Sequence, residues 1–133
     1  MKRGFTLVEL LIVIAIIGIL TMVVVSSTGP ARARSRDDRR IADLKTIQLG
    51  LALYFDHYRS YPTPDEGLSK LTDEDQGFLP SIPTDPKTGA LYEYTTSGGD
   101  KHYCLGATLE GTVPSDSSSC TILGSTANYK VSR

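Results

Sequence analysis

One ionisable residue interrupts the longest apolar run of the chain. Residues 5–25 read FTLVELLIVIAIIGILTMVVV, and Glu9 is the only charged residue among them. A charged side chain in hydrocarbon costs about 2.5–3.5 kcal/mol on the more lenient insertion scales. Such a costly group normally serves a function, so Glu9 is the first residue that requires a partner.

The other residues with suitable chemistry do not form a catalytic set. His57 follows Asp56, but adjacent residues of a helix do not face each other. The turn TDEDQG resembles the start of a calcium loop, although the EF-hand spacing fails beyond Asp75. The sequence has no Gly-rich phosphate loop, paired-His zinc motif or closely spaced Cys pair. We therefore predict a protein that is not an enzyme and that has no catalytic residue, metal ligand or cofactor.

The two cysteines, Cys104 and Cys120, lie late in the chain. An even cysteine count in a small exported domain favours a disulfide, and two buried free thiols are the alternative. Closing a loop of this length is worth roughly 3 kcal/mol in the chain-entropy model.

The apolar run is long enough to form a membrane-spanning helix, which needs about 20 mostly apolar residues. A cleaved signal peptide is the alternative, because small residues follow the run, but its apolar region is shorter, at roughly 7–15 residues. Gly18 and Pro30 disfavour a regular helix, so we expect this stretch to bend or loosen between them. Alternatively, one helix ends at residues 26–30 and Pro30 opens the next.

A second helix-forming pattern covers residues 31–58. Its apolar residues recur at steps of three and four, which places them on one helical face. The helix should end before Tyr61–Pro62. Its apolar face must cover the rest of the chain, residues 61–133, which we call the head.

The head has a proline-rich connector at residues 61–86 and then two strand patterns, near residues 91–95 and 102–109. The turn TSGGD between them predicts a hairpin. Residues 66–71 suggest a helical turn, and residues 120–123 and 129–131 could add strands. We predict an α+β fold: a long N-terminal helix, transmembrane in its first half and amphipathic in its second, packed against a small C-terminal antiparallel sheet.

Charge is divided unevenly along the chain. The first forty residues hold seven Lys and Arg against three Asp and Glu, and the remaining residues hold seven against twelve. An acidic head argues against nucleic acid as a partner. The arginine-rich run of residues 32–40 is either a solvated helix surface or a source of salt bridges to neighbouring copies. By the positive-inside rule it would place the head in the cytoplasm, whereas the cysteines favour export.

The stretch KRGFTLVELLIVIAIIGIL resembles the type IV pilin and pseudopilin family. A short basic leader, the Gly4–Phe5 junction, Glu9 and the aliphatic run all fit the family motif. The helix of residues 31–58, the YPT that follows at residues 61–63 and the late cysteines resemble the family more loosely.

This resemblance implies a prepilin leader at residues 1–4, which a prepilin peptidase removes before it N-methylates Phe5. It implies a membrane and filament-core helix at residues 5–29, an amphipathic helix at 30–60 and the head at 61–133. The subunit would wait in the bacterial inner membrane among lipids, with the head outside. An assembly ATPase and a platform protein would then build a homo-oligomeric helical filament, periplasmic or extracellular.

The resemblance also supplies a partner for Glu9. The new amine of Phe5 on a neighbouring subunit can pair with the carboxylate in the apolar filament core, where an unpaired charge is expensive. Gly18 and Pro30 resemble the region that loosens when subunits of this family pack.

Two uses of such a filament compete. We favour a type IV pilus subunit, because the paired cysteines resemble pilins and the calcium-binding C-terminal loop of major pseudopilins is not evident. The alternative is a pseudopilin of a type II secretion system or a competence pseudopilus.

Overall fold

The computed structural model describes residues 4–73 and 77–133, without the side chains of residues 23–27. Lys2 and Arg3 of the leader, and Glu74 and Asp75 of the acidic turn, lie outside the described residues. The elements are helix α1 (Leu7–Tyr58), a 3-10 helix (Leu68–Thr72) and strands β1 (Glu93–Ser97), β2 (His102–Ala107) and β3 (Tyr129–Ser132). This order confirms the predicted α+β fold with one long N-terminal helix.

The chain divides into two compact units, Met1–Ala33 and Arg34–Arg133. In the first unit, the large aliphatic side chains between Leu7 and Met22 are 46–80% exposed. Within the part of the chain that the structure describes, no helix carries an apolar stretch long enough to cross a membrane.

Helix α1 continues through the region where the sequence allowed a break. Pro30 lies inside the helix, so the alternative in which one helix ends at residues 26–30 is wrong. Proline has no amide hydrogen and locally removes one helical hydrogen bond. Loosening between Gly18 and Pro30 during assembly stays a prediction.

The second unit, which we call the C-terminal unit (Arg34–Arg133), contains a three-stranded antiparallel sheet in the order β1-β2-β3. Thr95 pairs with Cys104 in β2, and Cys104 pairs with Ser132 in β3. Strands β1 and β2 form the predicted hairpin, and Gly98 and Gly99 adopt φ values of 62° and 66° in its turn. The third strand lies where residues 129–131 suggested, whereas residues 120–123 do not form a strand.

The core of the C-terminal unit lies between α1 and one face of the sheet. Leu44, Ile47 and Leu51 of α1 and Leu105 of β2 have no exposed surface. Burying each such side chain contributes roughly 1.5–3 kcal/mol. The apolar face of the second half of α1 therefore covers the sheet and the connector, as its periodicity predicted.

The opposite face of β2 is also covered, which explains why five successive residues of this strand are buried. Cys104 forms a disulfide with Cys120 on this face. A Cβ atom added to Gly106 would lie 2.7 Å from Ala127 Cβ and 3.3 Å from Ile122 Cδ1. Residues 120–127 thus pack closely over the centre of the sheet, and only glycine fits beneath them at position 106.

Candidate functional site

Glu9 forms a capping box with Thr6 at the start of α1. The Thr6 amide and hydroxyl donate to Glu9 Oε2 at 3.0 and 2.7 Å, and the Glu9 amide lies 3.3 Å from Thr6 Oγ1. These reciprocal bonds satisfy backbone donors that have no partner at a helix N-terminus. The spacing T-x-x-E within TLVE is the sequence signal for this box, and our sequence reasoning missed it.

The box places the Glu9 carboxylate next to the residue that would carry the new N-terminus. Thr6 directly follows Phe5, whose side chain is 80% exposed. The predicted cut between Gly4 and Phe5 leaves both partners of the box in the mature chain. The structure therefore shows Glu9 Oε2 held by Thr6 near the start of an exposed apolar helix.

The other predicted residues lie elsewhere. Gly18 and Pro30 are in α1, and an added Cβ atom at Gly18 would meet nothing within 4 Å. Cys104 and Cys120 are joined in the C-terminal unit with their Cα atoms 5.9 Å apart.

Asp56 and His57 do not form a catalytic pair. The Asp56 carboxylate lies 3.8 Å from Arg59 Nη1. The imidazole of His57 instead packs against the rings of Tyr58 and Phe78, with centroids 4.5 and 6.1 Å away. His57 is exposed, and its ring lies beside these two aromatic rings.

Five charged residues of the C-terminal unit form one connected group, which we call the Arg40 cluster: Arg36, Asp37, Arg40, Asp85 and Glu110. Arg40 is only 2% exposed. Its Nε and Nη2 donate to Asp85 at 2.6 and 3.3 Å, and its Nη1 donates to Asp37 at 2.7 Å and to Glu110 at 3.0 Å. A buried guanidinium is thus surrounded by three carboxylates.

Besides Arg40, Glu110 binds two other cations, Arg36 of the same cluster and Lys87 outside it. Arg36 donates to both carboxylate oxygens at 2.7 Å, and Lys87 Nζ donates at 3.0 Å. The Arg36 guanidinium, with smaller contributions from Lys87 and Arg40, holds the pKa of Glu110 well below its ordinary value. The Arg40 guanidinium likewise lowers the pKa of Asp85. Both carboxyl groups are therefore ionised at neutral pH.

Asp37 attaches the loop after β2 to α1. Its carboxylate accepts hydrogen bonds from the backbone amides of Glu110 and Gly111, at 2.9–3.2 Å. The arginine-rich run therefore has a role that the sequence did not reveal. Arg36 and Arg40 form ion pairs within the C-terminal unit, whereas the Arg39 side chain remains 69% exposed.

The Arg40 cluster holds α1 and the loops before β1 and after β2 together. Each of its carboxylates is bound to guanidinium groups or backbone amides. Across residues 4–73 and 77–133, no group of three or more His, Cys, Asp or Glu is placed to hold a metal ion.

The comparisons with known proteins agree with the N-terminal motif. Residues 1–25 match the family described as the prokaryotic N-terminal methylation motif. The type II secretion system core protein G of Vibrio cholerae is 31% identical over 75% of this chain and 74% of its own length. That of Pseudomonas aeruginosa is 30% identical over 80% of this chain and 84% of its own.

A third relative, the type II secretion system core protein G of Escherichia coli, is 28% identical over 64% of this chain and 66% of its own length, just under two thirds. These relatives support the secretion alternative better than the type IV pilus that the cysteines favoured. Two cysteines were too general a feature to separate the two uses. The N-terminal motif and these similarities show that the chain belongs to the pilin and pseudopilin family, with core proteins G of type II secretion systems among its relatives.

Proposed function

We propose that this chain is a structural subunit of the pseudopilus of a type II secretion system. The main support for the proposal is the similarity of this chain to core proteins G, which covers about three quarters or more of the length of two relatives. The methylation motif at residues 1–25 supports it as well. The subunit acts by assembly and not by catalysis, and the described contacts of the C-terminal unit are those of a packed structural domain.

Maturation begins at the leader. A prepilin peptidase cuts between Gly4 and Phe5 and methylates the Phe5 amine. Until assembly, residues 5–29 hold the chain in the inner membrane, since the apolar run of the sequence extends to Val25. The C-terminal unit then faces the periplasm, where its disulfide is stable. An assembly ATPase and a platform protein extract the subunit into the pseudopilus.

Within the filament, Glu9 sets the register between subunits. Its carboxylate accepts from Thr6 in the single chain, and in the assembly it also receives the Phe5 amine of a neighbour. Aliphatic contacts form almost equally well in several registers, whereas an unpaired charge in a low-dielectric environment is strongly destabilising. The aliphatic side chains therefore supply adhesion, and the charge pair selects one alignment.

Mass spectrometry of the membrane-extracted protein tests the maturation step. The expected mature chain begins at methylated Phe5. A chain that begins near Ala31 would identify an ordinary signal peptide and exclude the proposal.

Glu9→Gln tests the register role, because glutamine can keep the capping box but carries no charge. The C-terminal unit offers a matched control, since Thr63 and Glu66 form the same reciprocal box at 3.0, 2.9 and 3.3 Å. We expect Glu9→Gln to insert into membranes but to abolish filaments and secretion, and Glu66→Gln to leave both unchanged. Normal filaments from Glu9→Gln would show that the charge is not needed.

A further inference from the structure

We infer that residues 108–128, which we call the disulfide segment, are fastened to the sheet by the Cys104–Cys120 bond and by direct hydrogen bonds, and that they do not hold a calcium ion, although major pseudopilins have a calcium-binding loop in this part of the chain. The inference concerns what holds the C-terminal unit together and does not depend on filament assembly.

The covalent connection lies at the centre of the sheet. Cys104 belongs to the middle strand, with Thr95 on one side and Ser132 on the other, and is only 4% exposed. Cys120 is near the middle of the disulfide segment. The bond therefore anchors this segment at its midpoint, over the face of β2 that α1 does not cover.

Hydrogen bonds from the strands fasten the second half of the disulfide segment. Glu93 of β1 accepts from the Thr126 amide and hydroxyl, both at 3.2 Å. The Asn128 side chain accepts from the Leu109 amide at 2.7 Å and donates to the Leu109 carbonyl at 2.9 Å. These two hydrogen bonds join the two ends of the segment, at Leu109 and Asn128.

The middle of the segment is bonded to β3. The Ser118 amide donates to the Lys130 carbonyl at 2.6 Å, and the Lys130 amide donates to Ser117 Oγ at 3.1 Å. The hydroxyl groups of Ser118 and Ser132 lie 2.6 Å apart. The Ser117 and Ser118 hydroxyls and the Lys130 carbonyl, oxygens that could coordinate a cation, are thus already engaged with the protein.

The carboxylates of this segment do not fit a calcium ion. Calcium takes six to eight oxygen ligands, usually with several carboxylates. The disulfide segment has only Glu110 and Asp116. Glu93 of β1, which also contacts the segment, has one buried oxygen without a hydrogen-bond partner, Oε2, and so offers one carboxylate where calcium needs several. Glu110 is bound by Arg36, Arg40 and Lys87, and Asp116 accepts from the Tyr129 hydroxyl at 3.5 Å. A cation would have to displace three positive side chains to reach Glu110.

Thermal unfolding of the full-length protein in detergent tests the inference. All seven tyrosines lie between residues 54 and 129, so the near-ultraviolet circular dichroism of tyrosine reports the C-terminal unit alone. We expect excess EDTA or millimolar calcium chloride to leave the midpoint unchanged. A thiol reductant should lower it by roughly 10 °C or more. Isothermal titration with calcium chloride should show no saturable binding.

The double variant Cys104→Ser/Cys120→Ser should reproduce the effect of the reductant. Ser115→Ala/Ser119→Ala is the matched control, because both serines are exposed and lie in the same segment, and it should unfold like the wild type. The inference is overturned if EDTA lowers the midpoint of the oxidised wild type, or if that protein binds calcium and is stabilised by it. An unchanged midpoint on reduction would also overturn it. These measurements on the wild type decide the matter even if the cysteine variant does not fold.

Discussion

The guanidinium of Arg40 and the carboxylate of Asp85 are 45 residues apart in the chain and are joined by two hydrogen bonds, at 2.6 and 3.3 Å. The pair connects α1 to the loop that precedes β1. Since Arg40 is almost fully buried, its charge is balanced only by the carboxylates around it. The attachment of α1 to the C-terminal loops therefore depends on a charge network as well as on apolar packing.

Removing Arg40 should be strongly destabilising. Arg40→Met leaves the carboxylates of Asp37, Asp85 and Glu110 without their shared cation, and breaking a buried charge pair from one side costs about 3–5 kcal/mol. Urea unfolding followed by tyrosine circular dichroism measures the loss. Arg39→Ala is the matched control, because this exposed neighbour is 3.8 Å from Asp43 and should change stability by less than about 1 kcal/mol. Equal losses in the two variants would contradict the role of the Arg40 cluster.

The same network predicts how stability depends on pH. The folded-state pKa values of Asp85 and Glu110 lie below their ordinary values of 3.8 and 4.5. The unfolded chain therefore binds more protons as the solution becomes acidic. The stabilisation from these groups is fully present above their ordinary pKa values and is lost as pH falls below them. Unfolding midpoints measured between about pH 6 and pH 2 should drop steeply in the wild type and less in Arg40→Met. Parallel profiles would exclude Arg40 as the cause of the low pKa of Asp85.

Adding one methyl group to β2 should disturb the packing of the disulfide segment. Gly106→Ala places a Cβ atom 2.7 Å from Ala127 Cβ, and overpacking of this kind costs about 1–3 kcal/mol. At Gly77 an added Cβ atom would make only ordinary contacts, at 3.6 and 3.7 Å. Gly77→Ala is therefore the control and should unfold like the wild type in urea. An equally stable Gly106→Ala variant would show that the segment is free to move away from the sheet.

Thr6 should affect assembly through Glu9. Thr6→Ala removes the hydroxyl that donates to the Glu9 carboxylate at 2.7 Å, whereas Thr6→Ser keeps it. Under the proposed function we expect fewer pseudopilus filaments from Thr6→Ala and normal numbers from Thr6→Ser, counted by electron microscopy at equal subunit levels. Thr63→Ala removes the corresponding hydroxyl in the C-terminal unit and should leave filament number unchanged. Normal assembly by Thr6→Ala would show that the Thr6 hydroxyl is not needed to orient Glu9.

Patterns of local periodicity were enough to predict most elements of the fold. Helical spacing in residues 31–58 predicted a buried face, and Leu44, Ile47 and Leu51 are fully buried. The turn at residues 96–100 predicted the hairpin. The alternative of a helix end at residues 26–30 was wrong, because proline removes only one hydrogen bond and the neighbouring turns can maintain the helix. The prediction of a strand at residues 120–123 was also wrong, because a short apolar stretch does not reveal whether a partner strand is available.

The sequence by itself determined the family, the long helix and the candidate assembly residues, because these depend on motifs and spacing within short stretches. Only the tertiary structure decided which partners the arginine-rich run binds. Arg36 and Arg40 find their partners at Asp85 and Glu110, which are distant in the chain, and local spacing contains no information about such contacts. Gly106 is a second example. Residues 122 and 127 pack above it and leave no room for a side chain, and local spacing does not predict that contact either.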